Sequence, residues 1–425
     1  MHPPHLPTRC SALALIVTFC FSVSPACAED WPCWRGPRGD GTSLETNLPL
    51  KWSQTENIAW KVPIPGRGYS SPVIWGDRIF LTTCLEKESK HVTLCLDRKT
   101  GRTLWQQEVP VVLQPKIHNR NSHASSTPAT DGKYLFVTFY DAPKFVACCY
   151  DLDGKLVWKK TPGDFKSVHG FCSAPLLHKD TVILNGDQDA LAYLVALDKA
   201  TGEEKWRADR PNRTRSYTPP VIFDIHGKKQ LVFSGSKCVT SYDPDTGKQI
   251  WIIDGPTEQY VASIIYHNDV LFMTYGFPKL GVMGINPDGT GNVTKTHVLY
   301  NDPKGGGYVP SPIAHGDYFF NVDDKGIGSC RECKTGKLMW LERLGGGGNK
   351  LHSASATGWG DYIYWPSNEG ITYVMKADPK FEVIEKNSIG EEINASLAIS
   401  HGQIFLRGLQ HLYCIGGTEK NSGGR

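Results

Sequence analysis

Eight segments of this chain carry a ring or amide side chain a few residues ahead of an apolar run: Tyr69, His123, His169, Tyr217, Tyr260, Tyr308, His352 and Asn394. Slightly further out stand Arg67, Arg120, Lys166, Arg215, Lys304 and Lys350, with Glu258 and Glu391 in two of the segments. Imidazole and phenol groups both donate and accept hydrogen bonds, and a guanidinium grips a carboxylate or phosphate through two parallel bonds. Brought together, these segments would form a polar, aromatic, mostly cationic mouth suited to an anionic or sugar-like ligand. The candidate contacts are Arg67, Tyr69, Arg120, Asn121, His123, His169, Arg215, Tyr217, Lys350 and His352. Polar loops have this composition without any ligand as well, so the reading depends on whether the fold converges them.

Other chemistry finds little support. The chain has no HExxH, no Gly-x-Ser-x-Gly elbow and no phosphate loop ending in Gly-Lys-Ser/Thr. Gly345 to Gly348 reads as a flexible connection. Asp151-Leu152-Asp153-Gly154 looks like a calcium loop but lacks its later Glu. Cys330-x-x-Cys333 has no second pair, which makes it weak evidence for zinc, and no metal is expected. The acidic groups Asp187, Asp189, Asp323 and Asp324 lack calcium-site spacing. Cys84 and Cys95 could lie across one hairpin, though spacing alone cannot establish pairing.

The elements that must position the mouth are two recurring units. The first is an apolar strand, a turn opened by Asp, a Gly, and a Trp four residues later: Cys95 to Trp105, Ala196 to Trp206, Ser241 to Trp251 and Cys330 to Trp340. Cys149 to Trp158 repeats it with a shorter turn. Asp can hold the turn backbone, and Gly supplies a positive φ. The second unit precedes it: a Ser/Thr/Pro lead-in, an apolar strand, a Gly/Asp/Asn turn and another apolar strand. Its eight copies begin at Ser71, Thr127, Ala174, Pro219, Ser263, Ser311, Ser355 and Ser396, 41 to 56 residues apart. Such a period belongs to propeller blades.

Each pair of hairpins makes one four-stranded antiparallel blade. The reading is therefore all-β, an eight-bladed β-propeller over 57–417. Copy five keeps its turn at Gly284 to Gly289 without a Trp, and copy seven, Met375 to Ile384, keeps little. Copy eight stops after three strands, and Asn57 to Val62, a Trp strand with no blade of its own, is expected to supply the fourth and close the ring. Two residues before each turn lie Cys95, Cys149, Ala196, Ser241, Gly284, Cys330 and Cys414, all small, a pattern that packing between blades explains.

Residues 29–56 read as an irregular arm, whose Trp31, Trp34 and Trp52 are expected to bury against the body. Residues 1–28 read as a cleaved signal peptide: Arg9, an apolar run from Ala12 to Val23, then Ala26-Cys27-Ala28. A lipoprotein acylated at Cys27 is the alternative, against a poor lipobox. A periplasmic or secreted protein with a disordered tail at 418–425 follows. Net charge is +3, and nothing in the balance suggests nucleic acid; no later segment is long and apolar enough to form a transmembrane helix.

The Asp-x-x-Thr-Gly-x-x-x-Trp repeats, with Trp31-Pro32-x-Trp34 and Asn57-Ile58-Ala59-Trp60 ahead of them, resemble the pyrroloquinoline-quinone (PQQ) repeat of the quinoprotein alcohol dehydrogenase-like superfamily. The resemblance covers nearly the whole chain after residue 28 and implies eight blades. It leaves chemistry open, since the superfamily holds PQQ-dependent dehydrogenases and cofactor-free scaffolds such as the outer-membrane barrel-assembly lipoprotein. A dehydrogenase would need PQQ with calcium, an aspartate base, a stacking Trp and a disulfide between adjacent cysteines, for which the resemblance offers Cys148-Cys149. Cys149 sits at the small packing position within a strand, next to its turn, rather than in a loop at the channel mouth. The expectation is a non-catalytic binding or scaffold protein without cofactor, taking a protein or an anionic or sugar-like ligand at the mouth, with a PQQ-dependent alcohol or sugar dehydrogenase as the alternative.

Overall fold

In a computed structural model, the chain forms eight antiparallel sheets whose hairpin units follow the sequence in order. The structure describes residues 28–210, 212–345 and 351–417. The signal segment up to residue 27, the tail at 418–425 and most of the Gly345–Gly348 connection lie outside them.

Blade 1 shows the pattern: Val73–Trp75, Arg78–Leu85, Lys90–Asp97 and Thr103–Pro110 pair in order from the channel outward. Its turn works as its residues require. Asp97 Oδ1 accepts from the Thr100 N–H at 2.8 Å, and Gly101 takes φ +71°. Blade 8 contains Ala398–Ser400, Gln403–Arg407 and His411–Ile415, and its fourth strand is Ile58–Pro63, with Trp60 opposite Cys414. The ring is closed by the N-terminal strand.

The joints between blades use the Trp of the turn unit. Trp105 lies across from Cys95 in its own sheet and donates its indole N–H to the Leu152 carbonyl in the blade 2 turn at 2.9 Å. The same bond joins Trp60 to Arg98, Trp158 to Lys199, Trp206 to Pro244, Trp251 to Pro287 and Trp340 to Asp378, at 2.9 to 3.2 Å. The turn Gly lies under the ring, and a Cβ on Gly101 would stand 2.8 Å from Trp60 Cε3. Positive φ and the indole above therefore exclude any side chain there.

The small residues before the turns lie between blades, Cys149 in one buried cluster with Val182 and Leu184 of the next blade, and the Trp of their own sheet stands opposite them, as Cys149 faces Trp158 and Ala196 faces Trp206. Two expectations need correction. Blade 5 does have its aromatic: after a detour through Gly291–Asn292, which pairs in parallel with Trp251 and Ile252 of blade 4, Tyr300 faces Gly284 and donates to the Cys333 carbonyl at 2.9 Å. Cys84 and Cys95 are not partners across their hairpin, since Cys84 faces His91 and Cys95 faces Phe80, and both are free thiols.

The arm is more structured than its composition suggests. Trp31 pairs with Ile74 of blade 1, the Thr130 N–H of blade 2 donates to the Pro32 carbonyl, and Thr42–Ser43 adds a parallel strand to Thr357–Trp359 of blade 7. All three contacts are with innermost strands, so the arm lies across one end of the channel. Arg35, buried there, donates to the Ala356, Pro312 and Asp40 carbonyls, and burial pushes its pKa down to about 10. Further along, Leu48 and Trp52 pack with Tyr364, Val374 and Ile415. Blade 8 has no turn unit for an indole to meet, because its fourth strand comes from the other end of the chain. Arm residues fill that joint.

Replacing Trp206, 9% exposed, by Ala is expected to destabilise the protein by about 3–5 kcal/mol; urea titration reads this directly, and a negligible change would refute the joint. Deleting residues 29–62 removes both plug and closing strand, and the truncated protein is expected to aggregate or fail to unfold cooperatively, as gel filtration and thermal melts would show.

Candidate functional site

The lead-in to each inner strand carries a hydroxyl in most blades, and these hydroxyls link the blades around the channel. Ser263, Ser311, Ser355, Ser396 and Ser71 each donate a backbone N–H to the hydroxyl of the next blade, ending on Thr127, at 2.8 to 3.1 Å. Ala174 and Pro219 interrupt this belt; there the Ser173 hydroxyl reaches the Thr218 carbonyl and the Ser216 hydroxyl the Tyr260 carbonyl. The belt holds the lead-in segments at fixed height, and the side chains ahead of it form the mouth.

Inside the mouth is a cavity of about 400 Å³, the size of ordinary small-molecule sites. Tyr69, Arg120, Asn121, His169, Arg215 and Tyr217 line it together, as do Tyr308 and Asn394. Three of the remaining four candidates lie elsewhere. Arg67 stays outside the lining and holds Tyr69, through an Nη2–hydroxyl bond of 2.6 Å with the guanidinium over the ring. His123 is half-buried outside the cavity, and the imidazole that reaches in from that lead-in is His118, five residues earlier. His352 is buried behind the wall, where its carbonyl accepts from Arg120 Nη2 at 2.9 Å. Lys350 lies outside the described residues.

The cationic mouth also needs correction. Arg120 Nη1 meets Asp324 at 2.5 Å, and Arg215 Nη1 meets both oxygens of Asp189 at 2.9 and 3.0 Å. Each positive charge that reaches the cavity is therefore matched by a carboxylate of a strand-connecting loop. Burial, with a neighbouring arginine, lowers the pKa of His118 and of His169, so both rings are neutral at pH 7. They meet edge-on with centroids 5.2 Å apart. His118 Nδ1 accepts the Arg120 N–H, which leaves the proton on Nε2.

Trp34 forms the floor. It comes from the arm, lines the cavity and donates its indole N–H to Ser263 of the hydroxyl belt at 3.0 Å. The arm thus turns a channel into a blind pocket. Sequence reasoning missed Trp34 as a site residue because a Gly/Pro-rich arm has no register with the repeats. Phe277, on the strand-connecting loop of blade 5, was missed because that loop carries no residue type that recurs from blade to blade.

The acidic residues are occupied elsewhere. Asp187 is fully buried against Arg210 at 2.9 Å, and Asp323 Oδ1 holds its own turn through the Lys325 and Ile327 N–H groups. Cys148 and Cys149 are free thiols inside the strand Lys144–Asp151, both fully buried, facing Val137 and Phe136. Among the described residues no group of three or more His, Cys, Asp or Glu side chains could hold a metal ion. The residues present do not fit PQQ with calcium: the adjacent cysteines are buried within a strand and do not line the cavity, and the carboxylates Asp189 and Asp324 are bound to arginines.

Comparison with known proteins agrees with this architecture. A family model described as outer membrane protein assembly factor BamB matches residues 88–342, and the chain belongs to that PQQ-repeat family. It is 27% identical over 263 residues to 1-butanol dehydrogenase (quinone) of Thauera butanivorans, and 27% over 264 residues to quinoprotein ethanol dehydrogenase of Pseudomonas aeruginosa. Each match covers 56% of this chain and 40% of the enzyme, so the chain spans well under half the length of these relatives. Among solved structures, BamB from Moraxella catarrhalis aligns with TM-score 0.59 at 11% identity, over 85% of this chain and 98% of that one. A europium-containing methanol dehydrogenase aligns with TM-score 0.64 at 12% identity, over 90% of each chain. At such identities the structural likeness establishes the fold.

Two buried histidines carry a pH prediction. His91 stacks on Phe139 with centroids 4.3 Å apart, neither ring nitrogen has a protein partner, and burial pushes its pKa down to about 3. Burial pushes His352 down to about 4. An unfolded imidazole takes up a proton near pH 6.5, so below that pH the unfolded chain binds more protons and stability falls towards the folded values. Urea titrations from pH 7 to 4 are expected to show this loss, and His91→Phe, which keeps the stack without the nitrogens, is expected to flatten it.

Proposed function

We propose that this protein is an exported, non-catalytic binding or scaffold protein whose ligand or partner site is the mouth of the propeller. The observation that carries the reading is the pairing of Arg120 with Asp324 and of Arg215 with Asp189: the carboxylates a calcium-bound quinone would require are already committed. Family membership alongside BamB is consistent with a scaffold role, and the apolar run before Ala26-Cys27-Ala28 supports export to the periplasm or beyond. No helix among the described residues is long and apolar enough to cross a membrane.

The dehydrogenase reading stands second, favoured by the two quinoprotein relatives and by Trp34, an aromatic floor on which a flat ring could stack. The purified protein is expected to bind no PQQ in the presence of calcium and to show no dye-linked alcohol oxidation. Quinone absorbance after reconstitution, with turnover lost in Cys148→Ala, would reverse the order of the two readings.

A further inference from the structure

We infer that the blind cavity takes a neutral carbohydrate, a mono- or disaccharide, with one face of a sugar ring on the Trp34 indole. The inference rests on the binding-site reading above and narrows its ligand. Three observations carry it.

The first is the aromatic lining. Trp34 closes the bottom, pinned by its bond to Ser263 and by the arm's buried Arg35 anchor, while Tyr69, Tyr217, Tyr308 and Phe277 stand around the wall. Aromatic faces carry negative π density, and the C–H groups on one face of a pyranose carry the complementary partial positive charge. A rigid indole also loses little conformational freedom when it becomes a platform.

The second is charge. The lining residues with permanent charge are Arg120 and Arg215, and each is neutralised by a carboxylate within 3 Å, while the two histidines are uncharged at pH 7. An anion entering this wall would lose hydration without an uncommitted cation to receive it. A neutral polyol exchanges only hydrogen bonds.

The third is unused hydrogen-bonding capacity. On the same residues, the Ser353 hydroxyl and the Nε atoms of Arg120 and Arg215 are buried with no protein partner. Adjacent sugar hydroxyls act as donors and acceptors together, and they could satisfy such a mixed wall after small side-chain adjustments.

The test is titration of the full-length mature protein, followed by tryptophan fluorescence and calorimetry. Glucose, galactose, maltose and cellobiose are the neutral probes; glucuronate, glucose 6-phosphate and PQQ are the anionic ones. At least one neutral sugar is expected to bind saturably, with charged probes at least about tenfold weaker. Trp34→Ala and Phe277→Ala are each expected to weaken binding about tenfold or more. Phe277 is half exposed, so its variant keeps the fold if loss of Trp34 disturbs the arm. Tighter binding of a charged probe, abolished by the same variants, overturns the inference and leaves the cavity as a binding site. No binding by any neutral sugar up to about 10 mM also overturns it. Dye-linked oxidation of a bound sugar by the PQQ-loaded protein would overturn the non-catalytic reading instead.

Discussion

The structure depends on one contact made repeatedly: an indole from the outer strand of one blade lying on the turn glycine of the next, its N–H bonded to a carbonyl of that turn. Each partner constrains the other. The turn must hold a glycine because a side chain would enter the ring, and the strand behind the indole must carry a small residue because the ring folds over it. An aromatic ring buries a large apolar area, and its polar edge is satisfied by a carbonyl of the neighbouring turn. Since the contact runs in one direction around the ring, each sheet is placed by its predecessor, and the circle closes only when the first Trp strand, Ile58–Pro63, returns to the last sheet.

The places where this contact changes are informative. In blade 5 a tyrosine replaces the indole, its hydroxyl reaching the same kind of carbonyl. Between blades 7 and 8 the contact is absent because the split blade has no turn to receive it, and Leu48 and Trp52 cover the gap. The arm therefore does two jobs with separate tryptophans: Trp52 completes a joint, and Trp34 closes the channel. An irregular segment can do this because it is free of the strand period and can meet innermost strands of several blades at once.

Charge inside the molecule is handled by local pairing. Arg210 and Asp187 bury as a pair, and Arg407, wholly buried, donates instead to the Ser70 hydroxyl and to the Ser70 and Thr82 carbonyls, with its pKa pushed down to about 9. Breaking such a set strands a charge in a low dielectric, so these residues tie each blade to the next, Arg210 to Thr240 and Tyr242 of blade 4 and Arg407 to Thr82 of blade 1. The same habit at the mouth, where Arg120 and Arg215 each meet an aspartate, makes a site that is polar yet electrically balanced.

The repeats alone determined the number of blades, the order of strands and the origin of the closing strand, because spacing, turn glycines and alternating apolar runs are local properties that survive in one dimension. They also located the lead-in segments that form the mouth, and Tyr69, Arg120, Asn121, His169, Arg215 and Tyr217 do converge there. Only the tertiary structure decided which side chain of a segment reaches the cavity, as with His118 in place of His123, because the length of a loop does not specify its path. It alone paired Arg120 with an aspartate from across the ring and Arg215 with one from the preceding blade, and it set Trp34 beneath them; the longest of these contacts joins residues 229 positions apart, and no sequence period records such meetings.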